Sequence, residues 1–103
     1  MGLRRDAQTD GLFRSFLALA SVEECYLYFE DLCTNKEIRE MGQRLAIAKL
    51  LREGSSYINA AEKTGVSSAT VGRVKRCLDY GDGGYDLVLS RVGTGRGGEA
   101  DES

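Results

Sequence analysis

Apolar residues recur every three to four positions through most of residues 10–92, which is the spacing that collects them on one face of an α-helix. Proline is absent from the 103 residues, so no proline ring interrupts a run of helical hydrogen bonds. The pattern therefore predicts an all-α chain, with six helices between residues 10 and 92.

Short polar side chains mark the first two helix starts, because their oxygens accept hydrogen bonds from the free amides of a first turn. Asp10 is predicted to cap a helix that runs to about Ala20, and residues 1–9 are expected to be a flexible N-terminus. Ser21 and Glu24 form a capping box for the second helix. The apolar stripe of this helix contains Val22, Cys25, Tyr26, Phe29, Leu32 and Cys33.

Two further apolar residues of the second helix, Leu27 and Tyr28, lie off that stripe. The second helix therefore has more apolar surface than one neighbouring helix can cover, and a single domain of 103 residues has few other elements to cover it. We expect a second copy of the chain to provide the cover.

Another capping box, Thr34 with Glu37, predicts a long third helix from Asn35 to Arg52. Its apolar side chains surround more than half of the helix, as is typical of a helix that packs on several sides. We expect it at the centre of the fold. The apolar side chains are Ile38, Met41, Leu45, Ile47, Ala48, Leu50 and Leu51.

Residues 57–80 have the pattern of a helix-turn-helix, in which two short helices are joined by a tight turn. Ser56 precedes the first helix, 57–64, and Ser67 caps a second helix that Gly81 ends. A purely structural helical corner has the same pattern, so that alternative stays open beside DNA binding. The residues that fit the pattern are Ala61, Gly65, Val66, Val71 and Val74.

The C-terminal part of the chain divides into a helix and a tail. A last amphipathic helix is predicted at residues 85–92, around Leu87, Val88 and Leu89. Residues 93–103 are too polar and too rich in glycine to order themselves, so we expect a disordered tail. The domain organisation is thus one helical domain, 10–92, between two flexible ends.

The composition disfavours several classes of protein. No apolar run approaches the roughly 20 residues of a membrane span, and the N-terminus lacks the apolar stretch of a secretory signal, so we expect a cytoplasmic protein. Histidine is absent, and no G-x-x-x-x-G-K phosphate loop occurs, so we expect no enzyme, no metal and no cofactor. Cys25, Cys33 and Cys77 lack C-x-x-C spacing and are expected to be reduced thiols of the core.

Charge is distributed unevenly along the chain, although the net charge is only −2. Residues 36–76 hold nine lysines and arginines against four glutamates, which gives +5, whereas residues 1–35 carry −3 and residues 77–103 carry −4. A basic middle between acidic ends favours a local surface for phosphates. The alternative is a solvated helix face of mixed charge.

Three motifs give the chain a family resemblance. They are T-x-x-E-x-x-x-x-G-x-R from Thr34 to Arg44, L-L-R from Leu50 to Arg52, and G-x-x-x-A-T-x-x-R from Gly65 to Arg73. In this order they resemble the Trp repressor superfamily, and within it the YerC/YecD branch, over about residues 10–92. The resemblance implies a six-helix, intertwined homodimer that presents two helix-turn-helix heads to successive major grooves of DNA.

The resemblance also implies an effector pocket, in which Arg44 and Arg73 hold a tryptophan corepressor with Thr34 alongside. Two positions depart from the family pattern, because Val74 replaces a glycine and Cys77 replaces a serine. Tryptophan is therefore a doubtful ligand, and another small effector or none is expected. The alternative is that Arg44 and Arg73 are ordinary surface or interface arginines.

The favoured function is a sequence-specific dimeric repressor of transcription. Its predicted partners are double-stranded DNA and a second copy of itself. The rival interpretation is a non-catalytic helical module that binds another protein, which suits the acidic pI of 5.2. For DNA binding we expect base-edge contacts at Ser67, Ser68, Ala69, Thr70 and Arg73, and phosphate contacts at Lys63, Lys75 and Arg76.

Overall fold

The computed structural model describes residues 2–92, and the predicted tail, 93–103, lies outside the described residues. Over the described range the fold is all-α, without a strand, and the six predicted helices are confirmed. None of these helices combines the length and the apolarity needed to cross a bilayer. The helices are α1 (Ala7–Leu17), α2 (Val22–Leu32), α3 (Asn35–Arg52), α4 (Tyr57–Thr64), α5 (Ser68–Tyr80) and α6 (Gly84–Val92).

The predicted start of α1 is wrong, because Asp6 and not Asp10 is its N-cap. The Oδ1 atom of Asp6 accepts a hydrogen bond from the Thr9 amide at 2.8 Å, and this bond holds the pKa of the Asp6 carboxyl below its ordinary value. Asp10 lies inside the helix, where it accepts a 2.7 Å bond from Nε of Arg14. Residues 7–9 are therefore helical, and α1 ends at Leu17, before the predicted Ala20.

Both predicted capping boxes are confirmed. At the start of α2, the Glu24 amide donates to Ser21 Oγ at 3.1 Å and Glu24 Oε1 accepts from the Ala20 amide at 2.7 Å. At the start of α3, the Glu37 amide donates to Thr34 Oγ1 at 3.1 Å and Glu37 Oε1 accepts from the Thr34 amide at 2.8 Å. Each pair satisfies amides that the helix itself leaves without a partner.

The described residues divide into two compact units, one up to Ile38 and one from Arg39, so that the first turn of α3 belongs to the first unit. In the first unit, the ring of Phe16 packs against Phe29 at a centroid distance of 5.1 Å and against Tyr28 at 6.3 Å. The hydroxyl of Tyr28 lies 2.7 Å from Ser15 Oγ. These contacts hold α1 against α2 through aromatic edges and one polar bond.

No residue of α1 or α2 is fully buried in this chain. Leu17 is 85% exposed, Tyr26 71% and Leu27 67%, and the two cysteines of the unit, Cys25 and Cys33, are only half-buried. The first unit therefore presents a broad apolar surface to its surroundings.

The second unit has a fully buried core to which three helices contribute. Ile47 and Ala48 come from α3, Ala60 comes from α4, and Val71 and Val74 come from α5. Ala61, the small residue that the sequence pattern predicted at the helix contact, packs partly buried against this core, and Ala60 beside it is fully buried. Partly buried side chains pack around this core: Leu50, Leu51, Ala61, Val66, Leu78, Tyr85 and Leu89.

The turn between α4 and α5 depends on one glycine. Gly65 has φ = 75°, a left-handed conformation that strains other residues, and its amide donates to the Ala61 carbonyl at 2.8 Å. This C-cap ends α4 where the sequence predicts. The next helix starts only three residues later, because Ser67 Oγ accepts from the Thr70 amide at 3.2 Å.

The prediction that all three cysteines belong to the core is wrong, because Cys25 and Cys33 are half-buried outside the buried core and Cys77 is exposed. Val71, Val74 and Leu78 occupy the inward stripe of α5 at positions i, i+3 and i+7. Cys77 lies outside that stripe, so its apolar neighbours in the sequence are not its neighbours in the fold.

We expect Ile47→Ala to lower the free energy of unfolding by about 2–5 kcal/mol, because it opens a cavity in the buried core. The matched control is Ile58→Ala on α4, whose side chain is 70% exposed and whose loss should change stability by about 0.5 kcal/mol or less. Urea denaturation followed by circular dichroism at one protein concentration compares the two variants. Equal losses would contradict this assignment of the core.

Candidate nucleic-acid interface

The outer face of α5 is set by the burial of its inner face. Since Val71 and Val74 point into the core, the side chains on the opposite side of the helix face solvent. Ala69, Arg73 and Arg76 are exposed there at successive helical turns. The face thus combines a small side chain near the start of the helix with two cations further along.

Tyr80 continues the same face and was not predicted from the sequence. Its side chain is 84% exposed. The spacing Ala69, Arg73, Arg76, Tyr80 follows i, i+4, i+7 and i+11, a signal that could have placed it on the helix face. An aromatic ring with a hydroxyl thereby ends the outer face of α5.

The residues at the start of α5 already have a structural role. Ser67 Oγ accepts from the Thr70 amide, and the two hydroxyl oxygens lie 3.2 Å apart. Thr70 is half-buried, whereas Ser68 and Ala69 are exposed in the first turn. The outer residues at the N-terminal end of α5 are therefore small, so another molecule can approach its partly positive backbone closely.

The predicted phosphate-contacting cations differ in their surroundings. Lys63 is exposed in the last turn of α4, and Arg76 is exposed on α5. Lys75 instead forms an ion pair, with its Nζ 3.0 and 2.9 Å from the two carboxylate oxygens of Asp79. Lys75 can therefore bind a phosphate only by giving up or sharing this carboxylate.

An open groove lies beside the start of α5 in the second unit. It brings together Arg44 and Arg73, as the sequence predicts. Neither guanidinium forms a hydrogen bond or an ion pair with another residue in 2–92. The lining residues are Glu40, Gln43, Arg44, Gly65, Val66, Ser67, Thr70 and Arg73.

The other three residues of the predicted effector pocket do not line this groove. Val74 is fully buried in the core, because it follows Arg73 by one residue and is rotated by roughly 100° around the helix. Cys77 is exposed outside the groove. Thr34 lies in the first unit, where its side chain caps α3.

The groove is mostly polar. Val66 is the one apolar side chain in its lining, whereas Glu40, Gln43 and the two arginines supply charges and hydrogen-bonding groups. The polar residues Glu40 and Gln43 were not predicted from the sequence. The groove thus suits an anion more than a large apolar ring.

Among residues 2–92, no three His, Cys, Asp or Glu side chains group together in a way that could hold a metal ion.

Comparison with known proteins places the whole helical region in one family. The model of the family described as Trp repressor protein matches residues 7–93. The chain is 50% identical over 88 residues to the protein YerC of Bacillus subtilis (strain 168), covering 85% of each chain.

Solved structures agree with this match. A TrpR-like protein from Eubacterium eligens ATCC 27750 superposes with a TM-score of 0.83 at 46% identity, covering 86% of this chain and 92% of its own. A protein from Staphylococcus aureus superposes with a TM-score of 0.82 at 44% identity, covering 84% and 87%. The chain, with its six helices and this match along its length, belongs to the Trp repressor family.

Proposed function

We propose that the chain is a sequence-specific, dimeric repressor of transcription, which binds double-stranded DNA in the cytoplasm through a helix-turn-helix formed by α4 and α5. The Trp repressor family consists of non-enzymatic DNA-binding regulators. The observation that carries the proposal for this chain is the outer face of α5. Val71 and Val74 on its inner side are buried in the core, and its outer side exposes small, hydroxyl-bearing and cationic side chains.

The proposed contacts follow from the placement of these side chains. The small residues Ser68 and Ala69 let the start of α5 enter a major groove, which is wide enough to admit a helix. Thr70 and Arg73 then face base edges, since an arginine fork matches the two acceptors of guanine. Lys75 and Arg76 on α5 and Lys63 on α4 are the proposed phosphate contacts, and Lys75 makes its contact by sharing or releasing Asp79.

The local charge supports this orientation. The net charge is −2 for the whole chain, but the segment 36–76 carries +5 and includes both helices of the proposed head up to Arg76. Positive charge at the contact surface attracts phosphates, and negative charge elsewhere does not prevent this because salt screens it within roughly 8–10 Å.

Substitutions in the head should separate base contacts from phosphate contacts. We expect Thr70→Ala and Arg73→Ala to change which sequence is preferred, at a cost of roughly 1–3 kcal/mol for each lost base contact. Lys75→Ala should weaken binding to all sequences alike and flatten its salt dependence. The measurement is selection of bound duplexes from a random pool at low and at higher salt, followed by affinity measurements on the enriched duplex.

A matched variant tests the Lys75 contact in the opposite direction. Asp79→Asn removes the carboxylate that holds Lys75, and it should therefore strengthen binding to all sequences. Selection that enriches no motif, together with affinity that does not change with salt, would contradict the proposal. That result would favour the rival function, a helical module that binds another protein.

The proposed dimer accounts for the apolar surface of the first unit. Leu17, Val22, Tyr26 and Leu27 are all largely exposed in the single chain. A second copy of the chain can cover this surface, because in a two-fold dimer both copies present the same apolar residues to each other.

We expect sedimentation at micromolar concentration to give a dimer. Leu27→Glu places a charge on the apolar surface and should shift the equilibrium towards monomer. The same substitution at Leu3, which is exposed ahead of α1, is the control and should leave the dimer intact. A wild-type chain that is monomeric and fully folded at this concentration would overturn the dimer and the two-headed mode of DNA binding with it.

The groove between Arg44 and Arg73 is the proposed effector site, and its ligand is a small anion. Two guanidiniums without hydrogen-bond or ion-pair partners among residues 2–92 suit a carboxylate or a phosphate group. Free tryptophan is a poor candidate, because Val66 alone offers apolar contact for an indole ring. The sequence-based reason for doubting tryptophan, steric overlap with Val74, is not supported, since that side chain lies in the core.

Calorimetric titration with tryptophan and with glycine tests the effector site. We expect both amino acids to bind about equally and only at millimolar concentration, because the shared carboxylate supplies most of the attraction. Arg73→Gln should abolish the binding, whereas the control Arg76→Gln, on α5 but outside the groove, should preserve it. A micromolar dissociation constant for tryptophan, lost in Arg73→Gln and coupled to tighter DNA binding, would contradict this expectation.

A further inference from the structure

One arginine at the end of α3 connects three helices of the second unit. Arg52 Nε donates to Asp86 Oδ1 at 2.8 Å, and its Nη2 donates to Asp86 Oδ2 at 2.9 Å. The same Nη2 also donates to the Leu78 carbonyl at 3.2 Å. A single guanidinium on α3 thus contacts α6 through a carboxylate and α5 through its backbone; we call this arrangement the Arg52 clasp.

The clasp supplies a cation at the C-terminal end of α5, where the helix has no basic residue of its own. The last carbonyls of a helix have no amide partner within it, and they are stabilised by a nearby cation. The Cys77 carbonyl is satisfied by the Gly81 amide at 2.9 Å, but α5 has no basic residue in its last turn. Arg52 brings the cation from another helix and bonds the Leu78 carbonyl directly.

Other ion pairs of the chain have a more local role. Arg14 with Asp10 and Lys75 with Asp79 are each four residues apart within one helix, so they fix no helix relative to another. Arg52 and Asp86 are 34 residues apart and bind in a two-pronged geometry. The hydrogen bonds from Arg52 lower the pKa of Asp86, and the Asp86 bond raises the pKa of Arg52. Both groups are therefore charged throughout the neutral range.

The position of the clasp along α5 determines what it can do. Val71 and Val74 fix the first half of the helix in the core, whereas Leu78 lies at the edge of that core and Tyr80 is largely exposed. The second half of α5 thus has only a partly buried contact at Leu78, and the clasp adds a polar attachment there that restricts tilting of the helix. Base contacts are sensitive to such a tilt, because they require side chains to be placed within about 0.5 Å.

We propose that Arg52 is a positioning residue for DNA recognition, which fixes the C-terminal end of α5 and thereby the direction of its outer face. This inference rests on the proposed function. It separates Arg52 from the arginines of the interface, since Arg52 acts through Asp86 and the Leu78 carbonyl and touches no DNA. Loss of the clasp should therefore weaken sequence-specific binding much more than non-specific binding.

The experiment compares Arg52→Gln and Asp86→Asn with the wild type on two probes. One probe is the duplex most enriched by wild-type selection, and the other is poly(dI-dC). We expect about fivefold weaker binding to the enriched duplex, a modest factor because the clasp is half-exposed to solvent. Binding to poly(dI-dC) should stay within about twofold, and the slope of affinity against salt should not change, since no phosphate contact is lost.

Two further variants separate geometry from charge. Arg52→Lys keeps the positive charge but not the fork, so it should recover only part of the lost affinity. Asp10→Asn removes a carboxylate that also bonds an arginine Nε, at 2.7 Å within α1, and it should leave both affinities unchanged. Full recovery in Arg52→Lys would overturn the positioning role of the fork.

Measurements without DNA test the clasp itself. In Arg52→Gln, nuclear magnetic resonance should show the pKa of the Asp86 carboxyl rising towards its ordinary value of 3.8 and faster exchange of the Gly81 amide at the end of α5. Circular dichroism should show unchanged helix content. Asp86→Asn leaves Arg52 in place and provides a milder variant if Arg52→Gln loses helix content.

The outcomes distinguish this inference from the function on which it rests. Equal losses on both probes with a flatter salt slope would make Arg52 a phosphate contact and overturn its positioning role. Unchanged binding to the enriched duplex in both clasp variants would overturn the inference alone. A wild-type chain that binds neither probe would overturn the proposed function together with the inference.

Discussion

The structure of the second unit depends on the packing of two valines of α5 against α3 and α4. Val71 and Val74 meet Ile47, Ala48 and Ala60 in a core without a buried polar residue. Such a core fixes the rotation of α5, because turning the helix by one residue would bring a charged side chain inward at the cost of desolvation. The exposure of Arg73 and Arg76 is therefore a consequence of the burial of their neighbours.

Because that core is small, much of the apolar surface of the chain needs to be covered in another way. Three of its members are valine or isoleucine and two are alanine, so few side chains of any size are fully removed from water. Aromatic contacts and a hydroxyl bond hold the first unit together, and it exposes leucine and tyrosine side chains. Neither unit resembles a domain that hides its apolar surface alone, which is the physical basis for proposing an assembly of two chains.

The sequence predicted the bounds of a helix correctly where its capping residues allowed one interpretation. The predicted bounds of the third and fourth helices agree with the structure because a capping box starts α3 and a left-handed glycine ends α4. The predicted start of α1 was wrong because Asp6 and Asp10 are both acceptable caps by sequence. The choice depends on which carboxylate accepts a hydrogen bond from a free amide of the first turn.

Predictions about the site were weaker because a sequence gives the neighbours of a residue along the chain and not its direction. Arg44 and Arg73 do meet in one groove, but Val74 and Cys77 do not line it. Helical periodicity contained the information about Val74, since the position belongs to the inward stripe with Val71. The Arg52 clasp could not be predicted in this way, because it joins residues 34 positions apart.

At the start of α5, the same side chains cap the helix, line the groove and belong to the proposed DNA contacts. Ser67 and Thr70 complete the helix cap and also line the groove, and Thr70 and Arg73 belong to the proposed base contacts as well. An anion bound by Arg73 in the groove would compete with a base edge for the same guanidinium, since one fork cannot face both at once. It would also lie beside the hydroxyls that cap the helix. With the proposed base contacts, any ligand of this groove is coupled to DNA recognition by shared side chains, without requiring a change of fold.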